Sequence, residues 1–276
     1  MYLKYIMLLY IIKLRDKRGG TMKVICVFNQ KGGVGKTTTN INLCSYLAME
    51  GYKVLAIDMD PQGNTTSGVG IDKRILEKSI YDVITSDVPL EEIIQQSSLV
   101  ENLYIAPATM ELAGAEVEII NNTQREKILL NQIKKLDGKF DFVFIDCPPS
   151  LGILTINALT SSNSVFIPIQ CEFYALEGVG QLINTIGLVK KSLNKNIDIE
   201  GVVMTMYDSR TNLSNEVLKE VEKYFGDKVY KTTIPRNIRL AEAPSFGLPI
   251  MLYDDKCKGA ESYTSLTKEF LSRQKG

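Results

Sequence analysis

Asn29-Gln30-Lys31-Gly32-Gly33-Val34-Gly35-Lys36-Thr37-Thr38 places two lysines, three glycines and two threonines within ten residues. Those residue types at that spacing suit phosphate binding. Glycines let successive backbone N–H groups turn inward around phosphate oxygens, and Lys36 offers a charge to the β- and γ-phosphates of a nucleotide. The Thr37 hydroxyl suits Mg²⁺. The run follows an apolar strand over 23–28 and opens a helix over about 36–50, so a helix N-terminus adds a favourable dipole. Compared with the ordinary G-x-x-x-x-G-K-[ST] pattern, Gln30 takes the first glycine position and Lys31 is an added cation. Lys36 already suffices for the nucleotide in its own loop. Lys31 is therefore expected to act on charge developing elsewhere, such as the phosphates of a nucleotide in a facing subunit. Supplied in trans, such a cation works like an arginine finger, worth ~10³–10⁵ in rate.

Carboxylates stand at the ends of two further strands. Asp146 closes the apolar run 140–146, and an ionised carboxylate at a buried strand end needs a cation; Mg²⁺ through a bridging water is the economical partner. Asp58 closes the run 52–58. It reads either as a second-shell Mg²⁺ ligand or as a structural acid pairing with Lys36.

The composition narrows what else the chain can do. Among 276 residues there is no histidine, which excludes a Ser-His-Asp triad and every His-ligated metal site. Lys plus Arg equals Asp plus Glu, 32 against 32, so any nucleic-acid contact must come from a local basic patch. Five cysteines with no C-x-x-C pair argue against a disulfide framework or zinc site, and Cys26, Cys44 and Cys147 are expected as buried thiols. Residues 1–21 carry an apolar run at 5–12 followed by four basic residues. Three readings of them stand: an upstream extension with Met22 as the working start, an interfacial membrane or packing helix, and an export signal.

The elements that must position these groups alternate in type. Strands are predicted at 23–28, 52–58, 103–108, 140–146, 164–169, 199–207 and 228–234. Helices are predicted at 36–50, 110–136, 153–161, 175–192, 213–225 and 259–273, with short helical pieces near 79–85 and 89–96 and a loop over 59–72. Such alternation implies an α/β fold, a mostly parallel twisted sheet with helices on both faces, in one domain from 22 to 276.

Five ordered blocks carry a family resemblance. Lys31-Gly32-Gly33-Val34-Gly35-Lys36-Thr37-Thr38 resembles the deviant Walker A motif of ParA/MinD P-loop ATPases. Asp58-Met59-Asp60-Pro61-Gln62-Gly63-Asn64 resembles the switch I motif, and Phe142 through Ser150 the Walker B and switch II segment. Pro168 through Gly178 and Ile234 through Ser245 resemble the ParA/Soj partition branch in particular. The likeness covers about residues 22–271.

That resemblance implies roles. Asp60 would orient the attacking water, with Lys31 and Lys36 as its catalytic companions, and Pro235 and Asn237 would flank the adenine, an amide there reading the exocyclic amine. It implies ATP with Mg²⁺ driving a homodimer, non-specific DNA binding through Arg210, Arg236 and Arg239, and hydrolysis stimulated by a ParB-like centromere-binding protein. Lys219, Lys223 and Lys228 are weaker DNA candidates. The implied setting is cytoplasmic and nucleoid-associated, with chromosome or plasmid partition as the task. A MinD-like membrane-positioning ATPase anchored by residues 1–21 is the alternative, and an iron–sulfur reductase relative a third.

Overall fold

The computed structural model describes residues 22–172 and 175–274. Apolar runs form strands Lys23–Val27 (β1), Val54–Asp58 (β2), Leu103–Ala106 (β4), Phe142–Asp146 (β5), Ser164–Gln170 (β6) and Asp198–Thr205 (β7), and the exposed pair Gln95–Gln96 adds a short edge strand (β3). Their order across the sheet is β3-β4-β2-β5-β1-β6-β7, and every pairing is parallel except β3 with β4. The central strands lack polar alternation because both faces are covered. Val24 and Cys26 of β1 face one apolar layer, packed by helices Ile80–Thr85, Ile128–Lys134, Ile153–Ser161 and Asn212–Phe225. Ile25 and Val27 face the other, packed by helices Lys36–Met49 and Lys258–Arg273. Cys26, Cys44 and Cys147 are buried free thiols, as expected.

Register sets the site. Asp58 of β2 pairs across from Asp146 of β5, and Val27 of β1 lies across from Asp146 on its other side. Three strands thus end together at the carboxyl edge of the sheet, next to where chain order reverses around β1. That is where open α/β sheets bind ligands.

Four predicted elements need correction. The helix expected over 110–136 is broken into Leu112–Glu118 and Ile128–Lys134, with 3₁₀ turns between them. The polar triplet Asn121-Asn122-Thr123 interrupts it, and Asn122 Oδ1 accepts from Gln124 N–H at 2.8 Å. The strand expected over 228–234 is reduced to isolated bridges at Val229 and Pro235. Its amides have another partner: Lys231 and Thr232 N–H both donate to the Glu269 carboxylate at 2.9 Å. The helical piece near 89–96 is confined to Leu90–Ile93, with β3 following. Within the loop expected over 59–72 lies a short helix, Asn64–Gly68. Residues 1–21 lie outside the described residues, and no described helix is long and apolar enough to cross a membrane.

The last helix closes one apolar layer through Phe270, whose ring lies 5.4 Å from Phe142 and 5.9 Å from Phe144. Phe270→Ala should cost about 3–5 kcal/mol. Urea unfolding followed by circular dichroism checks this; a loss below about 1 kcal/mol would mean the helix docks without anchoring the core.

Candidate nucleotide site

The glycine loop is held in shape by its own sequence and by the strands around it. Gly33 (φ +76°) and Gly35 (φ +87°) occupy the left-handed region, which side chains with a Cβ rarely enter. Gly35 caps the helix Lys36–Met49. Asn29 Oδ1 accepts from Lys31 N–H at 3.0 Å, and Thr205 Oγ1 at the end of β7 donates to Val34 O at 2.8 Å. The Lys36 side chain is buried and curls back so that Nζ donates to Lys31 O at 3.0 Å. Burial lowers its pKa, and the charges of Asp146 and Asp60 pull it part of the way back. The lysine already sits in a field that favours its charge.

Two fully buried carboxylates stand beside it. Asp58 Oδ1 accepts from Asp60 N–H at 3.2 Å, while Oδ2 accepts from Thr66 N–H at 2.8 Å and Thr66 Oγ1 at 2.7 Å. Of the two readings of Asp58, the pairing with Lys36 is not formed: its partners are the Asp60 N–H and the Thr66 N–H and hydroxyl. Burial raises its pKa to about 6, against the lowering effect of those bonds. Asp146 Oδ2 accepts from Thr65 Oγ1 at 2.8 Å, whereas Oδ1 is buried with no hydrogen-bond partner. Burial and then the Asp58 charge raise its pKa to about 7, while the Thr37 and Thr65 hydroxyls act to lower it. A desolvated carboxylate with one orphaned oxygen, facing a threonine hydroxyl and a lysine, fits a divalent cation with oxygen ligands. Asp60, partly exposed, follows Asp58 on the rim, and its Oδ1 accepts from Gln62 N–H at 2.9 Å.

Beyond the helix N-terminus lies a largely apolar cavity of about 370 Å³, lined among others by Gly35, Thr38, Thr205, Met206, Pro235 and Asn237. It lies one step from the phosphate loop. Pro235 and Asn237 both line it, and the Asn237 side chain is already engaged. Its Oδ1 caps the helix Ile238–Glu242, accepting from Arg239 N–H at 2.9 Å and Leu240 N–H at 3.3 Å. The acceptor that would read an exocyclic amine is thus occupied, and Nδ2 is the group left for a ligand. Sequence reasoning missed Thr65, Thr66, Thr205 and Met206. Met206 adopts φ +50°, a conformation costing a non-glycine residue about 1–2 kcal/mol, directly at the cavity wall.

The basic candidates separate. Arg210 and Arg236 line one cavity of about 650 Å³ together with Lys258, which the sequence reading did not single out. Arg210 is held by Asp208, its guanidinium donating at 2.7 and 2.9 Å. Arg239 is tied to Glu242 at 2.9 Å and Asp254 at 3.4 Å. Lys228 pairs with Asp198 at the start of β7, at the opposite end of the strand from the phosphate loop, and Lys223 pairs with Glu220. Those two do not join the arginines, and Lys219 stands exposed on the same helix as Lys223.

Comparison with known proteins follows this geometry. A family model described as an AAA domain matches residues 22–199. The sporulation initiation inhibitor protein Soj of Bacillus subtilis (strain 168) is 56% identical over 247 residues, 90% of this chain and 97% of its own length. This chain belongs to the ParA/Soj family of partition ATPases. The chromosome partitioning protein ParA of Myxococcus xanthus (strain DK1622) is 49% identical over 261 residues, covering 94% of this chain and 92% of that one. Among solved structures, the cobyrinic acid a,c-diamide synthase of Mycobacterium smegmatis with bound ADP and magnesium superposes with a TM-score of 0.80 at 38% identity. That match covers 92% of this chain and 96% of the other.

The raised carboxylates of this ParA/Soj ATPase give a testable pH dependence. Asp146 ionises harder in the folded chain than in the unfolded one. Its contribution to stability is therefore full below about pH 4 and lost as pH rises through about 7. Asp146→Asn, which cannot ionise, should gain on the wild type between pH 5 and pH 8 in metal- and nucleotide-free buffer. The expected gain is about 1–2 kcal/mol, or ~2–4 °C in melting temperature. Parallel melting-temperature curves for the two proteins would contradict the assignment.

Proposed function

We propose that this chain is a nucleotide-switched ATPase for DNA partition: ATP with Mg²⁺ closes a homodimer, the dimer binds DNA without sequence preference, and hydrolysis releases it. The observation that carries the reading is the division of labour between the two loop lysines. Lys36 is buried inside the loop among carboxylates, while Lys31 stands at the rim with a partly exposed side chain. A rim cation beyond the loop's own requirement suits phosphates presented by a second copy.

Within one subunit, the glycine-loop amides and Lys36 would hold the phosphates, and the base would enter the cavity beside Pro235, with Asn237 Nδ2 donating to a ring nitrogen. Thr37 and Asp146 would hold Mg²⁺, with Asp58 supporting them from the neighbouring strand end. When bound, the ion neutralises charge on the β- and γ-phosphates. Asp60 would orient the attacking water; its backbone is pinned by Asp58, so the carboxylate is positioned rather than free to wander. Little covalent chemistry falls to the protein, and positioning with charge carries the rate.

Arg210, Arg236 and Lys258 give each subunit a small basic patch, and Arg239, paired with an acid as Arg210 is, is a further candidate. A few phosphate contacts bind weakly and salt-sensitively. Pairing two patches in a dimer makes the second engagement intramolecular, worth ~10²–10⁴ in avidity. A neutral protein thereby acquires DNA binding only when dimeric. A ParB-like centromere-binding protein would stimulate hydrolysis and clear the dimer from the nucleoid.

Lys31→Ala should remain monomeric with a slowly hydrolysed ATP analogue, whereas Asp60→Ala should form a persistent ATP dimer. Equal dimerisation of the two variants in sedimentation would refute these roles. Binding to a random-sequence duplex should require the ATP analogue and fail with ADP or no nucleotide. Arg210→Glu and Arg236→Glu should each weaken it at least ~10-fold at low salt. Duplex binding of equal strength in all nucleotide states would argue against a switch.

A further inference from the structure

The three residues ahead of the loop glycines all reach towards β6 or the chain that follows it. Asn29 Nδ2 donates to Pro168 O at 2.8 Å, and Gln30 Nε2 donates to Thr185 Oγ1 at 2.7 Å on the helix Ala175–Ser192. Lys31 Nζ forms an ion pair with Glu172, and both side chains are only partly exposed, 40% and 32%. Glu172 is carried on anchored backbone: its N–H donates to Gln170 O at 2.9 Å, and the preceding Cys171 N–H donates to Thr205 O at 3.1 Å on β7. Lys31 also supplies the carbonyl that accepts from Lys36 Nζ. One residue therefore ties up both loop cations, Lys36 through its main chain and its own ammonium through Glu172.

We propose that Glu172 is a positioning residue that holds Lys31 against its own subunit when no nucleotide is bound, and that Lys31 must leave it to reach a facing subunit. This rests on the dimeric reading above and assigns a partner to the lysine in the monomer.

Phosphate oxygens are stronger acceptors for Lys36 than a neutral carbonyl, so nucleotide binding draws Lys36 away from Lys31 O. That step loosens the main chain at Lys31 but leaves the ion pair in place. Because Glu172 and Lys31 belong to one chain, their pairing is intramolecular and competes directly with any contact across a dimer. A partly exposed ion pair is worth up to about fivefold in an equilibrium constant. That is enough to keep the lysine home in the absence of phosphates, and little enough for a cluster of phosphate charges to overcome. Each dimer releases two such pairs, so the effect on dimerisation is squared.

The test compares the dimer dissociation constants of full-length wild type and Glu172→Gln by sedimentation velocity, with a slowly hydrolysed ATP analogue and with ADP. Glu172→Gln should dimerise more tightly with the analogue, by up to ~25-fold, with monomer nucleotide affinity and melting temperature unchanged. The gap should narrow between 50 and 500 mM KCl as the lost ion pair is screened. Glu172→Asp, which keeps the charge on a shorter arm, should fall between the two and serves if the glutamine variant folds poorly. A variant dimer equal to or weaker than wild type, where wild type does dimerise with the analogue, would overturn the role of Glu172. Monomers in every protein and nucleotide state would instead overturn the dimeric reading on which it rests.

Discussion

The site depends on the cost of keeping carboxylates out of water. Asp58 and Asp146 are fully buried on adjacent strand ends, directly opposite each other in the β2–β5 pairing. Burial strips both of hydration, and that is the main reason both carboxyls are pushed up; the Asp60 charge adds to it at Asp58 and the Asp58 charge at Asp146. The surroundings resolve the conflict differently for each. Asp58 spends its oxygens on the backbone of Asp60 and on Thr66, becoming a fixed strut for the switch segment. Asp146 keeps one oxygen unpartnered, beside Thr37 and Lys36. The protein thus stores an unmet demand for positive charge at the point where the proposed Mg²⁺ would sit.

That demand also organises the loop. Lys36 is buried at a cost in desolvation, offset by the charge of Asp146 and by the carbonyl of Lys31. The loop cannot relax outward to solvate the lysine, because Asn29 ties it to β6, Gln30 to the following helix and Val34 to β7. Rigid strands on each side hold the loop in its phosphate-ready turn, which reduces the ordering left for ligand binding. The same ties connect the nucleotide to the β6–helix segment and to the end of β7. After β7, Met206 leads into Tyr207-Asp208-Ser209-Arg210, so the basic patch lies one turn of chain from the cavity beside the phosphate loop. A change at the nucleotide has a short mechanical path to the surface proposed to meet DNA.

Much of this was legible in the residues. The glycine-lysine-threonine run, the acids closing two apolar strands and the strand–helix alternation are local signals, set by backbone permissiveness, charge chemistry and burial periodicity. They required only neighbours in sequence, and they singled out Lys36, Thr37, Asp58 and Asp146; Asp60, Pro235 and Asn237 came only with the ParA/MinD resemblance. The errors were of the opposite kind. Residues 228–234 have a strand's composition, yet the amides of Lys231 and Thr232 are claimed by Glu269, 37 or more positions away. The helical pattern over 110–136 was broken by a polar triplet whose side-chain hydrogen bonds outcompete the helix.

By itself, then, the sequence determined the phosphate chemistry, the sheet class and the ParA/Soj resemblance, because each is written in contiguous motifs. Tertiary structure alone decided how shared atoms were allotted. It gave the Asn237 carbonyl to a helix cap, Asp58 to Thr66 rather than Lys36, and Lys31 to Glu172, and it gathered Arg210 with Arg236 while leaving Lys228 at the far end of the sheet. A side chain's type is local, but an oxygen has few lone pairs and an ammonium few protons. Which partner takes them depends on the groups that folding brings within about 3 Å.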